Sequence, residues 1–155
     1  MKVSTLCFCI KGEEVLLAMK KRGFGTGKWN GYGGKIHEGE SPQAAASREI
    51  EEESGLVVDE AKLHHVALVH FSFDEILIFS CYVFLTYQWQ GDPVETGEMR
   101  PQWYPISNLP FGEMWVADAQ WIPLILAGEK IEAQVNFNAD GSSVKEFSYK
   151  VLKLT

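Results

Sequence analysis

The chain has 155 residues, 46% of them hydrophobic and 23% charged, with a formal net charge of −7. That length supports one domain with its own core and no covalent staples, while the acid excess argues against the broad basic face that a nucleic-acid polymer requires. A small anionic ligand is still admitted, provided that a bound cation or a local basic patch reverses the field.

Val3 to Ile10 and Val15 to Met19 read as strands around the turn Lys11-Gly12-Glu13. A glycine-rich loop follows, KKRGFGTGKWNGYGGK. Ser41 then suits a helix N-cap and Pro42 the first helical position, while Gly55 suits the left-handed stop. Val57-Val58, Leu63 to Phe73 and Glu75 to Trp89 look extended, and Gln90-Gly91-Asp92-Pro93 is a turn. Trp103 to Ile106 is expected as a short strand, and Asp118 to Ala127 as a second helix that Pro123 bends or divides. Lys130 to Asn138 and Val144 to Leu152 close the chain as strands joined at Ala139-Asp140-Gly141-Ser142. With no repeat, linker or boundary in view, one α/β domain over residues 1–155 is expected, a mixed sheet between helices.

Cys7, Cys9 and Cys81 make an odd count that does not suggest a disulfide framework. Two apart on a strand, Cys7 and Cys9 face one way, into the core. The opening MKVSTLCFCI lacks the features of a signal peptide, and no apolar run is long enough to span a bilayer. A reducing cytoplasm and a monomer are the expected setting. His64, His65 and His70 show no acidic partner at a spacing that completes a metal site, and His37 receives no role.

Glu49, Glu51, Glu52 and Glu53 crowd the last turns of the first helix. Glu49, Glu52 and Glu53 stand at i, i+3 and i+4 and share a face, with Glu51 pointing away. Repulsion costs a few tenths of a kcal/mol per pair, and the negative end of the helix dipole adds about 0.3–1 kcal/mol per carboxylate. Arg48 offsets only part of this. Convergent carboxylates are hard oxygen ligands suited to Mg²⁺ or Mn²⁺, and Ala45 and Ala46 leave room beside them. Taken alone, the run also suits a solvated acidic face.

The spacing weighs against that plainer reading. Gly34, five residues, Glu40, seven residues and then Arg48-Glu49-Ile50-Glu51-Glu52-Glu53-Ser54-Gly55-Leu56 is similar to the Nudix box, without departure at any defined position. The resemblance implies a loop-helix-loop that holds a divalent metal against a diphosphate linked to a nucleoside. By position it makes Glu49, Glu52 and Glu53 metal ligands and Arg48 the group that orients them. Glu40 becomes an outer carboxylate, and Gly34 allows close approach of backbone to metal and phosphates. Metal-activated water and a carboxylate base would complete the chemistry. Glu98, in GEMRP, is a further candidate, with base and ligand both open.

LLAMKKRGFGTGKWNGYGGK and EMRPQWYPISNLPFGEMWVAD resemble the oxidised-purine nucleoside triphosphatases, the animal-type MutT homologues acting on 8-oxo-dGTP. The similarity covers nearly the whole chain, with a two-residue insertion around Asp59 to His64. It implies that Asn30 bonds the base edge and that Phe24, Phe71 and Trp115 wall the purine. Lys20 would line the pocket and Asp118 face the base. From the residues alone, Phe24 and Trp115 fit a core equally well, Asn30 a turn, and Lys20-Lys21-Arg22 a solvated charge run. One departure stands out: where that family has two adjacent aspartates, this chain reads Trp115-Val116-Ala117-Asp118. A shared carboxyl pair can present a donor or an acceptor. With Asp118 alone the expected choice is narrower, keeping 8-oxo-dGTP and weakening 2-hydroxy-dATP. Two other readings stand beside this one: a Nudix hydrolase of another nucleotide, and a catalytically silent nucleotide-binding module.

Overall fold

The computed structural model describes residues 2–152. Its strands are β1 (Lys2–Lys11), β2 (Glu14–Lys20), β3 (Trp29–Asn30), β4 (His64–Phe73), β5 (Ile76–Thr86), β6 (Met99–Pro105), β7 (Ile131–Phe137) and β8 (Val144–Val151). The helices are α1 (Pro42–Ser54) and α2 (Asp118–Leu126), with short 3-10 turns at Glu60–Lys62 and Phe111–Glu113. The strands form one mixed sheet in the order β3-β2-β1-β5-β4-β7-β8, with β6 added to β2. The β1–β5 and β4–β7 pairs are parallel and the rest antiparallel.

Alternation along β1 divides the core. Phe8 and Ile10 face the side covered by α2, where Trp121, Ile122 and Ile125 are buried. Cys7 and Cys9 face the other side and pack with Ala46, Ile50 and Leu56 around α1. All three cysteines are buried free thiols, Cys7 and Cys9 facing the core as their spacing predicts.

The first helix keeps its expected ends. Ser41 Oγ accepts the Ala44 N–H at 3.1 Å, and Gly55 takes φ 81°. Three details differ from the sequence reading. Pro123 leaves α2 undivided, at the cost of one missing backbone donor. β6 begins at Met99 rather than Trp103, because it pairs only with β2 and an edge strand tolerates Pro101. The glycine-rich loop contains β3.

That loop opens the sheet. β1 and β2 are paired only from Cys9–Lys11 to Glu14–Leu16. Beyond this they separate, and the chain from Trp29 to Ile36 fills the gap. Trp29 and Asn30 pair with Met19 and Ala18. Tyr32 exchanges both backbone bonds with Cys7 at 2.6 and 3.0 Å, Thr5 donates to the Gly34 carbonyl at 2.9 Å, and Ile36 donates to Val3 at 3.1 Å. A Cβ on Gly33 would lie 1.8 Å from the Thr5 carbonyl oxygen, so only glycine passes there.

Candidate active site

The wedge brings the glycines against α1. The Gly33 N–H donates to Glu53 Oε1 at 3.0 Å. A Cβ on Gly34 would stand 2.5 Å from Glu49 Oε1, so the hydrogen at that position makes the cradle in which the Glu49 carboxylate lies. Glu49 and Glu53 therefore form one wall, while the side chain of Glu52, 59% exposed, stands at the rim. Among the described residues no three His, Cys, Asp or Glu side chains are gathered closely enough to hold a metal ion. Glu53 is tied to the Gly33 N–H and Glu52 to Arg48 at the rim, so the tight three-glutamate cluster expected from helical spacing is only partly drawn together.

Arg48 organises these acids. Its Nε and Nη2 bond the two oxygens of Glu40 at 2.6 and 3.0 Å, and its Nη1 reaches Glu49 Oε1 at 3.0 Å and Glu52 Oε2 at 3.3 Å. The Lys35 carbonyl accepts from Nη2 at 3.1 Å. Glu40 also accepts the His37 N–H at 2.8 Å. The Arg48 guanidinium, helped by that N–H, holds the Glu40 carboxyl down at about 2. Glu40 is thus a fixed anion with both oxygens engaged, suited to orienting Arg48.

Glu53 is the opposite case. Burial lifts its carboxyl to about 7, with Glu49 and Glu98 adding to the rise and the Gly33 N–H and Lys20 opposing it. A carboxyl poised there exchanges protons readily near neutrality. Glu98 lies on the turn before β6 with its carboxylate 3.6 Å from Arg22 Nη2. The oxygen-only donor set and the Gly34 cradle fit a hard divalent cation.

A cavity of about 260 Å³ adjoins this wall. Lys20, Phe24, Asn30, Gly34, Phe71, Trp115 and Asp118 all line it, which brings together every residue expected to meet substrate. Phe24, 72% exposed, leans on Trp115 with ring centroids 5.0 Å apart, and Lys28 Nζ lies 5.3 Å from the Trp115 ring. Asn30 Oδ1 accepts the Gly31 N–H at 2.9 Å, leaving its amide nitrogen as a donor. At the floor Asp118 is 3% exposed. Its Oδ2 accepts the Trp115 N–H and its Oδ1 the Trp121 Nε1–H, both at 3.2 Å. Burial nevertheless raises its carboxyl to about 7. Ala117 is fully buried in the apolar cluster below.

Sequence reasoning missed several lining residues. Phe73 was accessible from its i, i+2 relation to Phe71, whereas Phe79 and Phe137 reach the cavity through strand pairing alone. Phe71 stacks on Phe79 at 4.7 Å and on Phe137 at 6.1 Å. His70 also has an acidic partner after all: its Nε2 lies 2.8 Å from Glu132 Oε2, across a separation of 62 residues, and its Nδ1 lies 2.6 Å from Ser80 Oγ.

The profile of the NUDIX domain family matches residues 1–125. The chain belongs to the Nudix family. It is 44% identical over 137 residues to an oxidized purine nucleoside triphosphate hydrolase of Danio rerio, covering 88% of this chain and 86% of that protein. A protein of the same description from Mus musculus is 39% identical over 150 residues, covering 96% and 94%. The Nudix fold is shared with a MutT protein from Bacillus halodurans, at a TM-score of 0.81 and 20% identity over 97% of this chain and 98% of that one. Nudix hydrolases generally use divalent metal cations. Among the described residues no helix is long and apolar enough to cross a membrane.

Proposed function

We propose that this Nudix hydrolase is a Mg²⁺-dependent pyrophosphohydrolase that converts oxidised purine deoxynucleoside triphosphates, 8-oxo-dGTP foremost, to the monophosphate and pyrophosphate. One observation carries the reading. A single strand-like segment supplies Asn30 to the base-sized cavity and Gly33 and Gly34 to the glutamates of α1. The names of the fish and mouse relatives support the substrate class.

In this reading Phe24, Phe71 and Trp115 hold the planar base, and Asn30 and Asp118 read its edge. Lys20 supplies positive potential beside the phosphates. Glu49, Glu52, Glu53 and Glu98, with the backbone at Gly34, are the groups that would hold the cation. When bound, it supplies charge neutralisation at the phosphate oxygens and a water of lowered pKa. Arg48 and Glu40 keep the glutamate wall oriented. Glu53, oriented by the Gly33 N–H, accepts the proton from the attacking water. The reading includes a single domain over 1–155, acting as a cytoplasmic monomer on a free nucleotide rather than on a polymer or a membrane.

The test is pyrophosphate release in Mg²⁺ buffer with 8-oxo-dGTP, dGTP, 2-hydroxy-dATP, dCTP and a dinucleoside polyphosphate at low micromolar concentration. Preferred turnover of 8-oxo-dGTP, abolished by EDTA and by Glu53→Gln, is the expected result. Preference for another compound removes the base assignment, and binding without turnover removes the enzyme.

A further inference from the structure

Lys21 and Arg22 have no part in the chemistry above, yet both are spent on one turn. The Lys21 N–H donates to the Glu98 carbonyl at 2.8 Å, one residue beyond the last β2–β6 pair, Lys20 with Met99. The Lys21 ammonium donates to the Thr96 carbonyl at 2.9 Å and pairs with Glu95. Arg22 Nη2 lies 3.6 Å from Glu98 Oε1. Inside the turn, Thr96 Oγ1 accepts from the Glu98 and Met99 N–H groups at 3.2 and 3.0 Å.

The turn carries a carboxylate whose side chain is 59% exposed, so no packing around it fixes its position. An exposed ion pair alone holds little, but here the carboxylate contact is backed by a backbone bond and an ammonium bridging two acceptors. We infer that Lys21 and Arg22 form a basic clamp that fixes Glu98 and its turn against the end of β2. The inference rests on the metal-binding role proposed for Glu98. It also explains why a cationic run borders a site that must attract a cation: the run is consumed in holding a ligand.

Mn²⁺ binding to the nucleotide-free full chain, read by electron paramagnetic resonance, tests the clamp. Removing a nearby positive charge tightens cation binding if that charge acts only through its field. The clamp predicts the opposite sign. Lys21→Met and Arg22→Gln should each weaken Mn²⁺ about three- to tenfold, below the 10–100-fold typical of an outer-shell partner. They should lower kcat with little change in KM for 8-oxo-dGTP, and Arg22→Lys should restore most of the loss. Against a Glu98→Gln background, Arg22→Gln should have no weakening effect. Tighter or unchanged Mn²⁺ binding in Arg22→Gln, or equal weakening in both backgrounds, overturns the clamp. If Glu53→Gln weakens Mn²⁺ but Glu98→Gln does not, Glu98 and its clamp fall while the metal site stands. If neither does, the metal reading falls and the clamp with it. The Arg22 side chain is 70% exposed, so its replacement leaves folding intact.

Discussion

Gly34 and Glu49 meet so closely that a single methyl group on the glycine would stand 2.5 Å from the carboxylate oxygen. The box glycine therefore matters through what it leaves empty. Gly34→Ala should displace Glu49 and lower kcat about 10- to 100-fold, the range for a disturbed support of a metal ligand. Glu49 is a flexible side chain, so thermal stability should change little. Unaltered kcat, with the methyl visible in a crystal structure, would show that Glu49 is not a working ligand.

Two carboxyls, the half-buried Glu53 and the buried Asp118, make stability depend on pH in an unusual direction. Glu53 rises from 4.5 and Asp118 from 3.8, each to about 7. A raised folded value favours the neutral form, so this stability is complete below the unfolded values and is lost as pH rises through 7. At 1.36 kcal/mol per unit, each group contributes on the order of 3–4 kcal/mol. In metal-free buffer Tm should fall between pH 5 and pH 8. Glu53→Gln and Asp118→Asn should each flatten that slope, although Asn also sets an amide N–H₂ against one of two donors and lowers Tm at every pH. A Tm that climbs from pH 5 to 8 contradicts the assignment.

The exposed Phe24 separates binding from folding. Stacking of an aromatic on a base is worth about 1–3 kcal/mol, so Phe24→Ala should raise KM for 8-oxo-dGTP roughly 5- to 150-fold. With Phe24 72% exposed, Tm should stay within a degree or two of the parent, a shift typical of a small surface change. Trp115→Ala should raise KM similarly. Steady-state kinetics with parallel calorimetry decides the matter.

Ala117 offers a test of base choice. Its methyl is buried in the apolar cluster and brings no hydrogen-bonding group to the base. The parent should prefer 8-oxo-dGTP over 2-hydroxy-dATP, and Ala117→Asp should narrow that preference while lowering Tm, because a carboxyl enters an apolar site. Equal kcat/KM for both nucleotides in the parent would remove the significance of the missing aspartate.

Much of this architecture was legible because its signals are local. The Ser41 cap, the Gly55 stop and the i, i+3, i+4 glutamates need only neighbouring residues to be read. The unequal standing of those glutamates was not legible: Glu53 is half-buried and bonded to Gly33 while Glu52 is at the rim, a difference set by a loop twenty residues away. Asn30 and Asp118 were reached through resemblance, since an asparagine beside glycine also suits a turn. Phe137 and the His70–Glu132 pair depend on β4 lying beside β7, a pairing that no short window of sequence contains. β3 was hidden because a two-residue strand has no period to detect.

The wedge from Asn30 to Gly34 has one more consequence. Its hydrogen bonds to β2 and β1 make it nearly inextensible, and at about 3.3 Å per residue its four steps span about 13 Å. With one end at the cavity and the other at the carboxylates, the segment would act as a ruler in the proposed reading. Under the proposed reading the protein measures as well as recognises. A correct base attached to its phosphates by a linker of the wrong reach is turned away by length alone.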